Sequence, residues 1–117
     1  MPSTEESVDT YIAVANERDA TKRAAMLDAC WAEHGRLVVH GGRTLVGRAA
    51  LLAMYDRFFA DPRVVGVRVV AKDVRGTTFR FRYVTEFAEG KTIEGFDAGE
   101  VDADGRIQVL LVFPTPL

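Results

Sequence analysis

Thr92-Ile93-Glu94-Gly95-Phe96-Asp97-Ala98-Gly99-Glu100-Val101 runs into Asp102-Ala103-Asp104-Gly105 and returns as Arg106-Ile107-Gln108-Val109-Leu110-Leu111-Val112-Phe113, and the reading of this stretch decides the fold. Asp104-Gly105 between two β-rich runs is a hairpin signal, because glycine takes the positive φ that tight turns demand. In a strand the side chains alternate, so Gln108, Leu110 and Val112 fall on one face and Ile107, Val109, Leu111 and Phe113 on the other. In the first arm Ile93, Gly95, Asp97, Gly99 and Val101 share a face, which puts a carboxylate among apolar neighbours. A returning strand that is mostly apolar on both faces needs helices over one and more protein, such as a partner subunit, over the other.

Upstream of this hairpin the period is also two. Val65, Val67, Val69 and Ala71 alternate with Gly66, Arg68, Val70 and Lys72, and Arg75-Gly76 turns the chain. Phe79, Phe81, Tyr83, Thr85 and Phe87 then form one face of a strand whose other face carries Arg80, Arg82, Val84 and Glu86. The apolar row lines a pocket or fills a core, and the charged row reads as a solvated or dimer-facing surface. Earlier still the period is helical. Ser3 and Glu6 form a capping box for a first helix bearing Val8, Tyr11, Ile12 and Ala15. A second helix starts near Thr21, shows Ala24, Leu27 and Trp31 along one side, carries His34 at its C-terminal end and stops at Gly35. A short strand at Leu37-Val38-Val39 leads to the loop His40-Gly41-Gly42. The third helix runs from about Arg48 to Ala60, with Leu51, Leu52, Tyr55, Phe58 and Phe59 toward the core, and ends at Asp61-Pro62.

Three helices followed by an antiparallel meander define an α+β domain, with the helices packed on one curved, mostly antiparallel sheet. At 117 residues the chain is expected to be a single domain spanning 1–117, large enough to bury a core without disulfides or metals. The net charge of −2, with both signs scattered, supports no nucleic-acid partner. Cys30 is the only cysteine, so no internal disulfide forms, and it reads as a small buried hydrophobe. His34 and His40 have no ligand at metal spacing, so no metal is expected. No apolar run approaches the roughly 20 residues of a membrane span, and the polar, acidic start Met1 to Glu6 points to the cytoplasm and to no membrane partner.

The order of elements resembles the NTF2-like superfamily, which includes ketosteroid isomerase, limonene-epoxide hydrolase and the SnoaL-like polyketide cyclases. Tyr11-Ile12, Trp31-Ala32-Glu33, Gly47-Arg48, Phe96-Asp97 and Val101 through Ile107 carry the resemblance, which spans nearly the whole chain. It implies a cone-shaped half-barrel with an apolar pocket between helices and sheet, and a homodimer through the sheet. Ketosteroid isomerase has its catalytic tyrosine in a helix-one Tyr-Ile pair, matching Tyr11. Its protonated oxyanion-hole aspartate precedes a closing hairpin ending in Gly-Arg-Ile, matching Asp97. An ungapped count from Trp31 puts Val39 where that enzyme has its general base, with His40 one residue later. A one-residue shift in a strand reverses the face, so either residue could point inward. The Asp-Arg-Asp set of limonene-epoxide hydrolase is not matched, since Arg80 and Arg82 have no Asp two residues away.

These readings converge on a small hydrophobic carbonyl or phenol ligand and a cofactor-free proton transfer of the isomerase or cyclase type. The catalytic candidates are Tyr11, Asp97 and His40. The expected pocket wall is Trp31, Tyr55, Phe81, Tyr83, Leu110 and Val112. Between Gly95 and Gly99, Asp97 should lose hydration on ionising and its pKa should rise, and the glycines would leave room for a ligand ring. Alternatively Asp97 accepts a hydrogen bond from Tyr11 or Trp31 inside a closed core, and His40 is a solvated loop residue. The second class of function is a non-catalytic module that binds ligand or protein.

Overall fold

Ser3 starts the first helix as its sequence demands: its hydroxyl accepts from the Glu6 amide, and the Glu6 carboxylate accepts from the Ser3 amide, at 3.1 and 2.9 Å. The structure is a computed structural model that describes residues 1–114, with the side chain of His40 outside the described residues. Helix α1 spans Thr4–Val14 and α2 spans Ala20–Cys30, the latter capped by Asp19. Helix α3, Arg48–Ala60, follows Gly47, whose φ of 87° favours glycine. Among the described residues no helix is long and apolar enough to cross a membrane.

Six strands form one mixed sheet: β1 (Trp31–Val38), β2 (Thr44–Val46), β3 (Val64–Arg75), β4 (Thr78–Phe87), β5 (Thr92–Val101) and β6 (Ile107–Phe113). Their order is β2-β1-β6-β5-β4-β3, with β1 and β6 parallel and every other pair antiparallel. The expected meander from β3 to β6 is present, and the α+β class with three helices on the sheet is as read from the sequence. At the closing hairpin the Asp102 carboxylate accepts from the amides of Asp104 and Arg106, and Gly105 has a φ of 78°. The Ser7 hydroxyl donates to the Gly105 carbonyl, tying the hairpin to α1. Leu27, Trp31, Leu51, Ile107 and Leu110, none of them exposed, hold helices and sheet together.

The structure corrects the sequence reading in the segment after α2. The helix ends at Cys30, and Trp31 is already extended, so β1 begins where the helix was expected to continue. His34 is therefore an exposed strand residue rather than a helix terminus. Gly35 lies within the strand and stops nothing. A Cβ there would lie 2.6 Å from the Trp31 indole nitrogen and 2.7 Å from the Ile107 carbonyl, so its bareness lets the indole lie flat on the backbone. The short strand β2 has no counterpart in the expected elements.

Bulges revise the facing of two strands, β3 and β6. In β3 the register shifts between Val64 and Gly66 and again between Val69 and Ala71, leaving Val65 and Val70 exposed. Each extra residue reverses the alternation beyond it. Val67 and Val69 keep facing inward, but Lys72 and Val74, opposite Phe81 and Phe79, replace Ala71 on that face. Lys72 reaches Asp9 and Glu5 of α1 at 2.6 and 3.2 Å. In β5–β6 a shift between Glu100 and Val101 turns Ile107 inward with Leu110 and leaves Gln108 outside, donating to Glu100.

Candidate functional site

Asp97 lies at the middle of β5, between Phe81 of β4 and Val112 of β6. The period-two pattern turns it toward the helices, where α1 and α3 stand over the sheet and leave a cavity of about 200 Å³. Asp97 is 5% exposed, and its Oδ1 has no hydrogen-bond partner among the described residues. Burial pushes its pKa up to about 8. The cause is loss of hydration, because no cation or backbone amide is placed to favour the charged form. At neutral pH the group is a carboxylic acid that retains a proton to donate.

Apart from Thr85, the rest of the cavity wall is apolar or phenolic. Helix α1 supplies Tyr11 and Ile12, with Ala15 at its end, and α3 supplies Met54, Tyr55 and Phe58. The sheet supplies Leu37 and Val39, Val67 and Val69, Phe81, Tyr83 and Thr85, and Val112. The Tyr55 hydroxyl donates to the Tyr11 hydroxyl at 2.9 Å, and both groups are buried. That bond leaves the Tyr11 proton unassigned within the protein. Burial raises the pKa of Tyr11, Tyr55 and Tyr83, with the Asp97 charge adding to each, so all three remain phenols.

Six of the residues proposed from sequence therefore meet in one place: Tyr11, Tyr55, Phe81, Tyr83, Asp97 and Val112. Trp31 and Leu110 do not line the cavity. They are fully buried in the core, with the Trp31 ring 5.5 Å from that of Tyr11. The hydrogen bonds of the alternative closed-core reading are not found among the described residues: neither Tyr11 nor Trp31 donates to Asp97, and the indole nitrogen has no partner. Val39 faces the cavity, while the side chain of His40 lies outside the described residues.

The glycines beside Asp97 do not hold space open for a ligand. A Cβ at Gly95 would overlap the Tyr83 phenol, with Cε1 at 2.8 Å, and one at Gly99 would meet Phe79 Cζ at 2.7 Å. Each glycine is the cross-strand partner of the aromatic residue that covers it. Sequence reasoning missed Met54, Val67, Val69 and Thr85 as cavity residues, although the row Phe81, Tyr83, Thr85 carried a signal in its alternation. Arg80 pairs with Asp73 and Arg68 with Glu86 on the opposite, exposed face. Burial pushes the Cys30 thiol up to about 12, which keeps it unreactive. Among the described residues no three His, Cys, Asp or Glu side chains are grouped to hold a metal.

Helices over one face of a curved mixed sheet, with one buried acid in an apolar cavity between the layers, define the NTF2-like architecture. The chain belongs to the SnoaL-like family, whose domain model matches residues 8–110. Among curated protein sequences none matches it. Among solved structures, a SnoaL-like family protein of Agrobacterium tumefaciens, named as an isomerase candidate, is similar at 24% identity. Its TM-score is 0.83, over 94% of this chain and 95% of that one. An NTF2-like protein of unknown function from Mesorhizobium loti is 20% identical with a TM-score of 0.77, over 97% and 91% of the two chains. The epoxide hydrolase/cyclase-like enzyme SalBIII, of pyran ring formation in salinomycin, is 18% identical with a TM-score of 0.72, over 94% and 88%. At these identities the likeness is one of fold.

Proposed function

We propose that this protein binds a small apolar molecule carrying a carbonyl or phenol, and that Asp97, as the neutral acid, donates a hydrogen bond to its oxygen. The observation that carries this reading is the unpartnered Asp97 carboxyl in a cavity lined mainly by apolar and phenolic side chains. A buried polar group without a partner costs free energy, which a ligand oxygen would recover. A preorganised donor in a dry site also stabilises negative charge developing on an enolate or alkoxide. The chemistry that suits it is a cofactor-free proton transfer of the isomerase or cyclase type, with Tyr11 as second donor and His40, next in the chain to Val39, as the proposed base.

The test is the pH dependence of affinity for a cyclic enone. Wild type should lose affinity as pH rises through about 8, while Asp97→Asn, which donates at every pH, should not. The same decline in both proteins, or none in either, would contradict the assignment. For His40, full turnover by His40→Ala on an identified substrate would remove it as base.

A second reading, a binding module without turnover, is favoured by Val39, an apolar residue where the strand end meets the cavity. It predicts ligand affinity without proton exchange at the ligand's carbon. For assembly we propose a homodimer through the outer sheet face, where Leu111 and Phe113 are 38% and 48% exposed and Phe113 lies 6.1 Å from Phe96. Light scattering should find a dimer in wild type and a monomer in Leu111→Glu. We also propose a cytoplasmic location, in keeping with a lone thiol that is buried and unpaired.

A further inference from the structure

β3 is the edge strand of the sheet, and on that side the cavity is bounded by the seam between β3 and α1. Ile12 and Ala15 line one lip of this seam and Val67 and Val69 the other, all four of them half-buried. Among the described residues no main-chain hydrogen bond joins the two lips. Side chains hold them instead. At one end Lys72 reaches Asp9 and Glu5 of α1. At the other, the Arg18 guanidinium donates to the Val64 carbonyl at 2.9 Å. Between these anchors lies Asn16, exposed and just past the end of α1. Its Nδ2 donates to the Val67 carbonyl and its Oδ1 accepts from the Val67 amide, both at 2.8 Å.

The Asn16 amide thus stands in for one residue of a neighbouring strand. Val67 is paired with Thr85 of β4, and its own N–H and C=O point away from β4 to the free edge. Gly66 permits the approach, because a Cβ there would lie 2.8 Å from Asn16 Oδ1. Both bonds are neutral and exposed, so water competes for them and they open more readily than the core around them. We propose that Asn16 is the latch of the ligand cavity: when its amide releases Val67, the lips part between the two anchors and the ligand passes through the seam between α1 and β3. This rests on the reading of the cavity as a ligand site. Asn16 is not itself part of the cavity wall, so it acts on passage rather than on affinity. Reclosing restores the apolar wall and shuts water out.

The test is stopped-flow fluorescence with 2-naphthol, a phenol whose own emission reports binding, at a pH well below 8 so that Asp97 keeps its proton. Asn16→Ala should raise the association and dissociation rate constants together, by about 5- to 30-fold for two exposed hydrogen bonds, and leave Kd within about 2-fold of wild type. Gly66 lies outside the left-handed region, so Gly66→Ala keeps the backbone and Asn16 but pushes the amide away. It should give the same parallel rise. The double variant should be no faster than the faster single one, because both substitutions open one latch. Melting curves verify that each variant is folded. Unchanged rates in both variants overturn the latch, as does a loss of affinity carried by dissociation alone, which would make Asn16 a packing residue. If 2-naphthol binds wild type and Asp97→Leu weakens it while the rates stay fixed, the latch alone fails. If wild type does not bind 2-naphthol, the ligand-site reading fails with it.

Discussion

The Tyr83 phenol lies across Gly95, its partner on the neighbouring strand, so closely that no side chain fits at position 95. The ring is thereby held flat against the sheet and becomes floor rather than obstruction. Gly95→Ala should force it up into the cavity. We expect destabilisation of about 1–3 kcal/mol, the usual cost of overpacking, together with loss of ligand affinity. Urea unfolding checks the first, and in a Tyr83→Leu background the cost should shrink, giving a coupling term in the double-mutant cycle.

Asp97 should also shape the pH dependence of stability. An aspartate raised to about 8 in the folded state, against about 4 unfolded, holds its proton in the fold while the unfolded chain gives it up. Its contribution is therefore fully favourable below about pH 4, declines as pH rises from 4 to 8, and is constant beyond. Asp97→Asn should remove that decline. Urea unfolding between pH 5 and 8 should show wild type losing several kcal/mol relative to the variant, with the gap levelling above pH 8. Parallel profiles would mean that Asp97 has the same pKa in both states.

The Tyr55–Tyr11 hydrogen bond predicts non-additive substitutions. Removing one hydroxyl leaves the other buried without its partner, so Tyr11→Phe or Tyr55→Phe alone should cost about 1–3 kcal/mol. The double variant should cost less than the sum. If the ligand's oxygen also reaches Tyr11, then Tyr55→Phe should weaken binding a few-fold with little change in Tyr11→Phe/Tyr55→Phe beyond the Tyr11 loss, measurable by titration with 2-naphthol.

Much of this site was legible in the sequence because its elements obey simple periods. Asp97 faces inward for the same reason as Gly95 and Gly99, and Tyr11 faces the sheet because it shares a helical stripe with Val8. What was hidden is what periodicity does not encode. Trp31 looked helical because Ala24, Leu27 and Trp31 continue a stripe, yet Gly35 gives its indole a place on extended backbone, and that contact is visible only in three dimensions. Ile107 and Lys72 were assigned to the wrong faces because bulges insert single residues without a compositional mark. Gly95 and Gly99 read as open space because the aromatic residues that fill it come from the next strand. Thr85 stood in the right row, but a threonine on a strand is commonplace until its burial against the cavity is seen.

The central claim is that Asp97 is a neutral acid in a ligand cavity at physiological pH, and its carboxyl carbon reports this directly. With ¹³C-labelled aspartate and Asp97→Asn to assign the signal, the Asp97 resonance should keep the shift of a protonated carboxyl at pH 6 and titrate near 8. Addition of a cyclic enone should move the midpoint higher still, because a bound carbonyl favours the proton donor. An Asp97 signal already at the carboxylate position at pH 6, unmoved by ligand, would contradict the account.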